Sequence, residues 1–462
     1  MFDLAIIGAG PAGYVAAQRA AAAGLSVLLF EKNELGGVCL NEGCIPTKTL
    51  LQSAKILEQA RSAEKYGVLL GESSLDYAKV CARKDKVTKK LVGAIRVSMR
   101  NLGVEVVKAE AQVLGGAKGD FLLGVKGQSA EGQVDQTTVG QVFHAAHILL
   151  CTGSRSFIPP IPGLEYPSEN ILTSREALQI KEVPESLVII GGGVIGMEFA
   201  ALFNSLGCKV SVIEATPKIL GPVDEEISSL LQSTYASKGV DFFLNSKVVR
   251  IEGRKLYFSD EAGEEKCLEG EKILVCVGRR AVCDGVDTEK MGLALMKGAV
   301  KTDSHMRTSV PGIYAAGDIT GFSMLAHTAS REAEVAVNDI LGVEDEMSYK
   351  AVPGVVYTHP EVASVGESEQ SLKAKGIDYE VHKLPMTYSG RFVVENERGN
   401  GLCKLLSSPE GRILGAHLLG DPSSEIISSC VIAIEKGMSL EELRRIIFPH
   451  PSVSEILKEC SW

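Results

Sequence analysis

The chain has 462 residues, with 48 Lys and Arg against 58 Asp and Glu, so its formal net charge is −10. Hydrophobic residues make up 45% and charged residues 23%, the balance of an ordinary globular protein. This length exceeds what one hydrophobic core supports, so roughly three domains are expected. The acidic balance argues against nucleic-acid binding, and no apolar run approaches the ~18 residues of a membrane span.

The N-terminus and the cysteines bear on the compartment. A strand-like run, "FDLAIIGAG", starts at residue 2 and leaves no room for a targeting segment, although a precursor already processed would look the same. The eleven cysteines are an odd number and mostly stand alone in apolar surroundings, as Cys276 and Cys430 do. A cytoplasmic, reducing location without a structural disulfide framework is therefore expected.

The first motif lies in "LAIIGAGPAGYVAAQRAAAAGLSVLLFE", residues 4–31. An apolar strand precedes the GxGxxG glycines, a helical segment follows them, and a second strand ends at Glu31. Its glycines are Gly8, Gly10 and Gly13. They permit a tight turn, close approach of a pyrophosphate, and close packing of the helix on the strand, while the acid accepts hydrogen bonds from a ribose.

Two cysteines follow in "GGVCLNEGCIPTKTLL", residues 36–51. In a regular helix Cys39 and Cys44 would have Cα atoms roughly 8 Å apart, too far for most disulfides, so a bridge needs a distorted turn. Neighbouring glycines supply that freedom, and Pro46 favours a helix start near Cys44, where the dipole stabilises a thiolate. Lys48 falls one turn later on the same face. Zinc binding and two unrelated thiols are the alternatives to a redox disulfide.

The first unit recurs in "LVIIGGGVIGMEFAALFNSLGCKVSVIE", residues 187–214. In both copies the first glycine precedes the glycine that ends the helix by 16 residues and the acid by 23. The second set is Gly191, Gly193, Gly196 and Glu214. Two complete units predict two dinucleotide sites. Only Lys218, and no arginine, follows Glu214 in "ATPKIL", which favours NAD over NADP.

Two later stretches are ambiguous on their residues alone. In "VPGIYAAGDIT" an apolar strand ends at Asp318, which is better interpreted as an ordinary turn with a helix cap than as a ligand site. In "FPHPSVSEILKE", His450 is more often a surface or capping histidine than a catalyst. Glu455 follows His450 by five residues, so it is able to orient the imidazole but is not forced to.

The chain resembles the class I pyridine nucleotide–disulfide oxidoreductases, and among them the dihydrolipoamide dehydrogenases, over nearly its whole length. The motifs that carry the resemblance are "IIGAGPAGYVAA", "GGVCLNEGCIPTKTLL", "LLCTGSR", "IIGGGVIGMEFA", "ILVCVGRR", "IYAAGDIT" and "HPSVSE". Val38 stands where these enzymes usually carry threonine, a mild departure.

The resemblance implies an α/β fold of two Rossmann-like dinucleotide-binding domains, a central domain and a C-terminal α+β dimerisation domain. The boundaries are 1–148 for the FAD domain, 149–275 for the NAD domain, 276–345 for the central domain that completes the FAD site, and 346–462 for dimerisation. No metal is implied.

The resemblance also implies the residues of the two sites. Those of the FAD site are Gly8, Gly10, Gly13, Glu31, Lys48, Ala111, Thr152, Gly153, Asp318 and Ala326. Those of the NAD site are Gly191, Gly193, Gly196, Glu198, Glu214, Val248 and Gly278. Lys48 is further expected to pair with Glu198.

The activity implied is FAD-dependent oxidation of protein-bound dihydrolipoamide to lipoamide with reduction of NAD+, through a Cys39–Cys44 redox disulfide. His450 acts as acid–base at the disulfide of the other subunit of a homodimer, and Glu455 orients it. The implied partners are lipoyl domains of 2-oxoacid dehydrogenase complexes or the H protein of glycine cleavage.

Other activities fit the residues less well. A glutathione reductase running from NADPH is disfavoured by the missing arginines, and a mercuric reductase by the single cysteine in "KECSW". A non-catalytic flavoprotein would not need Cys39, Cys44, Lys48 and His450 together.

Overall fold

The computed structural model describes residues 1–126, 140–283, 286–396 and 399–462. The chain folds into two units, and each unit is assembled from three separate stretches of sequence. Unit 1 comprises residues 1–49, 81–157 and 278–348, and unit 2 comprises residues 50–80, 158–277 and 349–462.

Up to residue 157 the chain forms seven strands and four helices within the described residues. The strands are β1 (Phe2–Ile7), β2 (Val27–Phe30), β3 (Glu105–Val107), β4 (Ala111–Ala117), β5 (Asp120–Val125), β6 (Val142–Leu150) and β7 (Ser154–Ser156). The helices are α1 (Pro11–Ala22), α2 (Gly37–Asn41), α3 (Cys44–Arg61) and α4 (Tyr77–Asn101).

Residues 158–277 contain the second glycine motif. The strands are β8 (Ile171–Leu172), β9 (Ser186–Ile190), β10 (Lys209–Ile213), β11 (Asp241–Phe243), β12 (Lys247–Glu252), β13 (Lys255–Ser259), β14 (Glu265–Glu269) and β15 (Lys272–Val275). The helices are α5 (Ser174–Ala177), α6 (Val194–Ser205) and α7 (Glu225–Ser237).

The remaining elements complete both units. The strands are β16 (Arg279–Ala281), β17 (Leu295–Met296), β18 (Ala299–Val300), β19 (Ile313–Ala315), β20 (Gly354–Val356), β21 (Val362–Gly366), β22 (Glu380–Pro385), β23 (Leu402–Ser407) and β24 (Ile413–Leu419). The helices are α8 (Ala326–Ile340), α9 (Glu369–Lys375), α10 (Gly390–Asn396), α11 (Ser423–Glu435), α12 (Leu440–Arg444) and α13 (Glu455–Glu459). Short 3-10 helices span Ala63–Tyr66, Asp318–Thr320 and Met386–Tyr388.

The sheet of unit 1 brings the ends of several parallel strands to one edge. Its order is β3-β2-β1-β6-β5-β4, with β19 also pairing with β6, and β3, β2, β1, β6 and β19 are parallel to their neighbours. Ile7 pairs with both Phe30 and Leu150, and Leu150 pairs with Ala315, so these strands finish level. Ligands of open α/β sheets bind outside such carboxyl ends.

Unit 2 contains two five-stranded sheets of different character. The sheet β11-β10-β9-β15-β8 is parallel, and its continuous apolar strands are buried, as expected for a sheet that packs on both faces. The sheet β20-β21-β24-β23-β22 is antiparallel and packs against α11. The predicted α/β class, with a C-terminal α+β part, is confirmed. Across the described residues, no helix combines the length and apolar character needed to cross a membrane.

Candidate functional site

The first glycine motif forms the turn between β1 and α1. A Cβ at Gly8 would lie 2.3 Å from the Cys151 carbonyl oxygen, and one at Gly13 would lie 1.8 Å from the Gly8 carbonyl oxygen, so neither position accepts a side chain. A Cβ at Gly10 would meet no heavy atom within 4 Å. The backbone at Gly10, just before α1 begins at Pro11, therefore has open space beside it, as a pyrophosphate site requires.

The Glu31 carboxylate lies beside this turn, at the carboxyl end of β2. It accepts hydrogen bonds from the backbone amides of Ala9 and Asn33, both at 2.8 Å. Glu31 is buried, and that burial raises the pKa of its carboxyl group despite both bonds. The Glu31 carboxylate is thus fixed next to the glycine turn, where the sequence motif predicts that a ribose binds.

The second glycine motif repeats this geometry in unit 2. The Glu214 carboxylate accepts from the amide of Gly192 at 2.7 Å and from the amide of Thr216 at 2.9 Å. A Cβ at Gly196 would lie 2.0 Å from the Gly191 carbonyl oxygen, and a Cβ at Gly193 would meet open space. Two dinucleotide-binding turns with the same contacts confirm the repeat seen in the sequence.

Lys218, the one cation soon after Glu214, is engaged elsewhere. Its ammonium group donates a hydrogen bond to the Val223 carbonyl oxygen. Partial burial lowers the pKa of Lys218, although Asp224 opposes that shift. The loop after Glu214 therefore offers a carboxylate to a ribose, which fits NAD better than a 2′-phosphate.

Three residues assigned to the FAD site follow the level strand ends of unit 1. Thr152 and Gly153 follow β6 after one intervening residue, and Asp318 comes after β19. The Asp318 carboxylate accepts a hydrogen bond from the Ser154 hydroxyl and lies 4.0 Å from the Arg279 guanidinium. Asp318 opens a 3-10 helix, but its side chain bonds Ser154, so the alternative of a simple helix cap does not describe its carboxylate.

Ser154 and Arg279 were not anticipated from the sequence. The Arg279 Nε donates to the Ser154 hydroxyl oxygen at 2.7 Å, and a second guanidinium nitrogen donates to the Ser154 carbonyl oxygen at 2.7 Å. β7 and β16 pair with each other and bring the two residues together. The available signal was the similarity of "LLCTGSR" and "LVCVGRR", in which each residue directly follows the glycine.

The two cysteines lie where α2 gives way to α3. Gly36 and Gly37 have φ of 97° and 58°, backbone that favours glycine, and a Cβ at Gly37 would lie 2.6 Å from the Gly10 Cα. The turn therefore packs directly on the first glycine loop. Cys44 begins α3, as predicted, and its side chain is hydrogen-bonded to that of Cys39.

The two thiols are held in unlike electrostatic states. The hydrogen bond with Cys44, together with burial, raises the pKa of Cys39 well above its ordinary range, while the positive charge of Lys48 acts in the opposite direction. In the reduced pair a proton on Cys39 is therefore favoured. Cys44 lies at the start of α3, an environment that generally favours a thiolate. Burial, and then electrostatic interaction with Cys39 and Cys44, raise the pKa of Tyr14.

Cysteines elsewhere behave as buried apolar side chains. Burial raises the pKa of Cys276 and of Cys430 to about 12, so both stay protonated at neutral pH. Their sequence-based interpretation as small hydrophobic residues agrees with this environment.

His450 and Glu455 form a pair near the C-terminus. The His450 Nδ1 lies 2.8 Å from one Glu455 carboxylate oxygen, and the Ser452 amide donates to the other at 2.9 Å. The bond from Ser452, and then that from His450, lower the pKa of Glu455. The imidazole is largely exposed, with 80% of the side chain accessible, so its Nε2 edge is presented outward.

The other assigned residues lie in different surroundings. Ala111 opens β4, and Ala326 opens α8. Glu198 is buried in α6, where its carboxylate accepts from the Tyr357 amide at 3.0 Å, and Val248 lies in β12. Gly278 belongs to unit 1, where its carbonyl oxygen accepts from the Phe157 amide. Cofactor contacts of these residues, and the pairing of Lys48 with Glu198, remain predictions.

Known proteins match the whole chain. Residues 2–333 match the family model for pyridine nucleotide-disulphide oxidoreductases, and residues 352–461 match the model for the dimerisation domain of that family. Dihydrolipoyl dehydrogenase of Chlamydia muridarum is 39% identical over 99% of this chain and 96% of its own. That of Geobacillus stearothermophilus is 37% identical over 99% and 94%.

Solved structures share the architecture. The HOCl-induced flavoprotein disulfide reductase RclA of Escherichia coli has a TM-score of 0.84 at 29% identity, over 99% of this chain and 98% of its own. The LpdA protein of Mycobacterium tuberculosis has a TM-score of 0.89 at 25% identity, over 100% and 99%.

The comparisons confirm the resemblance to dihydrolipoamide dehydrogenases, the FAD and NAD cofactors and the C-terminal dimerisation domain, whereas the four domain boundaries remain predictions. The chain belongs to the pyridine nucleotide-disulphide oxidoreductase family.

Proposed function

We propose that this chain oxidises protein-bound dihydrolipoamide to lipoamide and reduces NAD+, as a dihydrolipoamide dehydrogenase. The observation that carries the proposal is the hydrogen-bonded Cys39–Cys44 pair at a helix start, packed on the first glycine turn. A dithiol beside the turn that we expect to hold the flavin is suited to thiol–disulfide exchange.

The exchange begins from the oxidised pair. A substrate thiolate attacks the Cys39 sulfur, the Cys39–Cys44 bond breaks, and Cys44 leaves as a thiolate with the electron pair. The second substrate sulfur then attacks the first, which releases cyclic lipoamide and leaves Cys39 to take a proton. The substrate loses two electrons and the cysteine pair gains them, and the raised pKa of Cys39 favours this final distribution of the proton.

The substrate thiol must first lose its proton. We assign this step to His450 of the partner subunit, with Glu455 holding its imidazole through Nδ1 so that Nε2 accepts the proton. The exposure of this imidazole suits a group that serves another chain.

The two glycine turns would hold the cofactors. Gly10 and Glu31 would bind FAD, and Gly193 and Glu214 would bind NAD, since both turns have open space at the helix start and a fixed carboxylate. When bound at these turns, FAD and NAD+ would supply the redox chemistry that removes the electron pair from the reduced cysteines.

The partners belong to the proposal as well. The dimerisation domain supports a homodimer. We propose that its substrates are lipoyl domains of a 2-oxoacid dehydrogenase complex or the H protein of glycine cleavage, because the curated relatives over the full length are dihydrolipoyl dehydrogenases. The cytoplasmic location stays a prediction.

The variant Cys44→Ser tests the proposal. It should abolish reduction of NAD+ by dihydrolipoamide while the flavin remains bound, because serine at position 44 can neither form a disulfide with Cys39 nor accept the electron pair as a thiolate. Cys267→Ser, at an exposed cysteine of β14, is the control and should retain full activity. Retained activity in Cys44→Ser would contradict the disulfide relay.

A further inference from the structure

The solvent-facing side of α4 concentrates positive charge on an acidic chain. Residues 81–101 of this helix contain seven Lys or Arg and one acidic residue, whereas the whole chain has a net charge of −10. Six of the seven cations are exposed and form what we call the α4 basic face: Arg83, Lys86, Lys89, Lys90, Arg96 and Arg100.

Little of this charge is neutralised within the chain. Asp85 pairs at 3.1 Å with Lys84, which is buried and lies outside the α4 basic face. Glu34 pairs at 3.1 Å with Arg96 and is shared with a second cation, Lys108. In the part of the chain that the structure describes, the three lysines of the face make no ion pair. The α4 basic face therefore creates a local positive potential that attracts a negatively charged partner.

The apolar side of α4 belongs to the same hydrophobic cluster as the redox-active turn. Val92, Ile95 and Met99 share a hydrophobic cluster with Leu40 of α2 and Cys39. At the start of the face, the Arg83 guanidinium also donates to the carbonyl oxygen of a residue in α3, at 3.1 Å. The α4 basic face therefore lies on a helix that contacts both flanks of the cysteine segment, through Arg83 on Thr49 and Arg96 on Glu34.

We propose that the α4 basic face docks an acidic carrier domain that presents the substrate dithiol on a flexible arm. This inference rests on the proposed function. Charges are screened beyond about 8 Å at physiological ionic strength, so an approaching domain senses the local face and not the net charge of the chain. The face runs about 26 Å from Arg83 to Arg100, which matches the diameter of one small domain.

The test reverses three charges in the centre of the face: Lys86→Glu, Lys89→Glu and Lys90→Glu together. With a recombinant dihydrolipoyl carrier domain of net negative charge, kcat/KM should fall about tenfold at low salt, and its dependence on ionic strength should flatten. With free dihydrolipoamide, which is uncharged, kcat/KM should stay within about twofold, since the chemistry is untouched.

The matched control carries Lys181→Glu, Lys209→Glu and Lys301→Glu, three exposed lysines outside α4. It changes the net charge equally and should behave as the unmodified enzyme with both substrates.

An equal loss in both triple variants, or no loss with the carrier domain, would overturn the docking site while leaving the proposed function intact. Failure of the unmodified enzyme to oxidise free dihydrolipoamide would instead overturn the proposed function, and the docking site with it. Binding of anionic vesicles or duplex DNA to the face without any carrier effect would assign it to another partner.

Discussion

At the scale of single residues, the proposed proton transfer depends on how Glu455 holds His450. Each carboxylate oxygen has one partner: His450 Nδ1 on one and the Ser452 amide on the other. This arrangement favours the tautomer with the proton on Nδ1 and leaves Nε2 for the proposed proton transfer. The sequence showed only a separation of five residues, which allows the contact without requiring it, because Glu455 begins a short helix that His450 precedes.

The variant Glu455→Gln should lower kcat for dihydrolipoamide oxidation about a hundredfold, with flavin content unchanged. Glutamine offers one oxygen, so either the imidazole or the Ser452 amide loses its acceptor. Glu459→Gln changes an exposed acid of the same helix and should leave kcat unaffected. Steady-state rates and flavin absorbance measure both variants, and a wild-type kcat in Glu455→Gln would refute the orienting role.

Contacts between distant residues escaped sequence reasoning. Ser154 is 164 residues from Asp318 and 125 residues from Arg279, yet it hydrogen-bonds to both. Within a glycine unit, by contrast, strand, turn, helix and acid lie close together in sequence. Each of these parts meets a steric or electrostatic requirement that can be recognised from its own residues. The glycine turns were therefore predictable from the residues, and the Ser154 network was not.

At the scale of elements, the turn before α2 joins the redox pair to the first dinucleotide turn. Gly37 is the contact point, because its Cα stands where a side chain would meet the Gly10 backbone. The left-handed φ at Gly37 adds a second requirement for glycine. One short element thus sets the distance between the cysteines and the first glycine turn.

The variant Gly37→Ala should reduce flavin retention and lower the melting temperature of the protein. The left-handed conformation alone costs a non-glycine residue roughly 1–2 kcal/mol, and the clash with the Gly10 backbone adds to it. Gly93→Ala provides the contrast, because Gly93 lies inside α4 with no atom within 4 Å of its Cβ position. That change should leave the melting temperature unchanged or raise it, since alanine favours helix by up to about 1 kcal/mol. Equal behaviour of the two variants in thermal unfolding would contradict the role of this contact.

At the scale of the whole molecule, sequence order and spatial grouping diverge. Each unit combines three separate stretches, so neighbours in a unit come from distant parts of the chain. The parallel sheets were predictable because each glycine unit carries its own pattern of apolar strands. The strand order β20-β21-β24-β23-β22 was not, because alternating strands fix a face but not a neighbour.

Within unit 2, a buried ion cluster connects β23 with the starts of α7 and α9. Lys404 of β23 is fully buried, and its ammonium lies 3.0 and 3.1 Å from the oxygens of Asp224, which is also fully buried and precedes α7. It also bonds Glu369 at the start of α9 and Glu226 of α7. Burial disfavours the charged ammonium, but the hydrogen bonds that Lys404 donates to Glu369 and Asp224 prevail and raise the pKa of Lys404 to about 12.

The variant Lys404→Met should lower the free energy of unfolding by about 3–5 kcal/mol, because it leaves the Asp224 carboxylate buried without a counter-charge. The double variant Lys404→Met with Asp224→Asn removes both charges and should recover most of that loss, whereas Lys383→Met, at a largely exposed lysine, should cost less than about 1 kcal/mol. Denaturant unfolding of these variants measures the differences, and a Lys404→Met loss no larger than that of Lys383→Met would contradict the cluster.

The stabilisation from this cluster should also depend on pH. The hydrogen bond from Lys404 lowers the pKa of Glu369. The stabilisation that this ion pair gives is therefore present above the ordinary glutamate pKa and is lost as the pH falls through the lowered value. The advantage of the unmodified protein over the double variant should therefore hold from about pH 5 to neutrality and shrink in acid, where a constant difference would mean that packing, not charge, joins these elements.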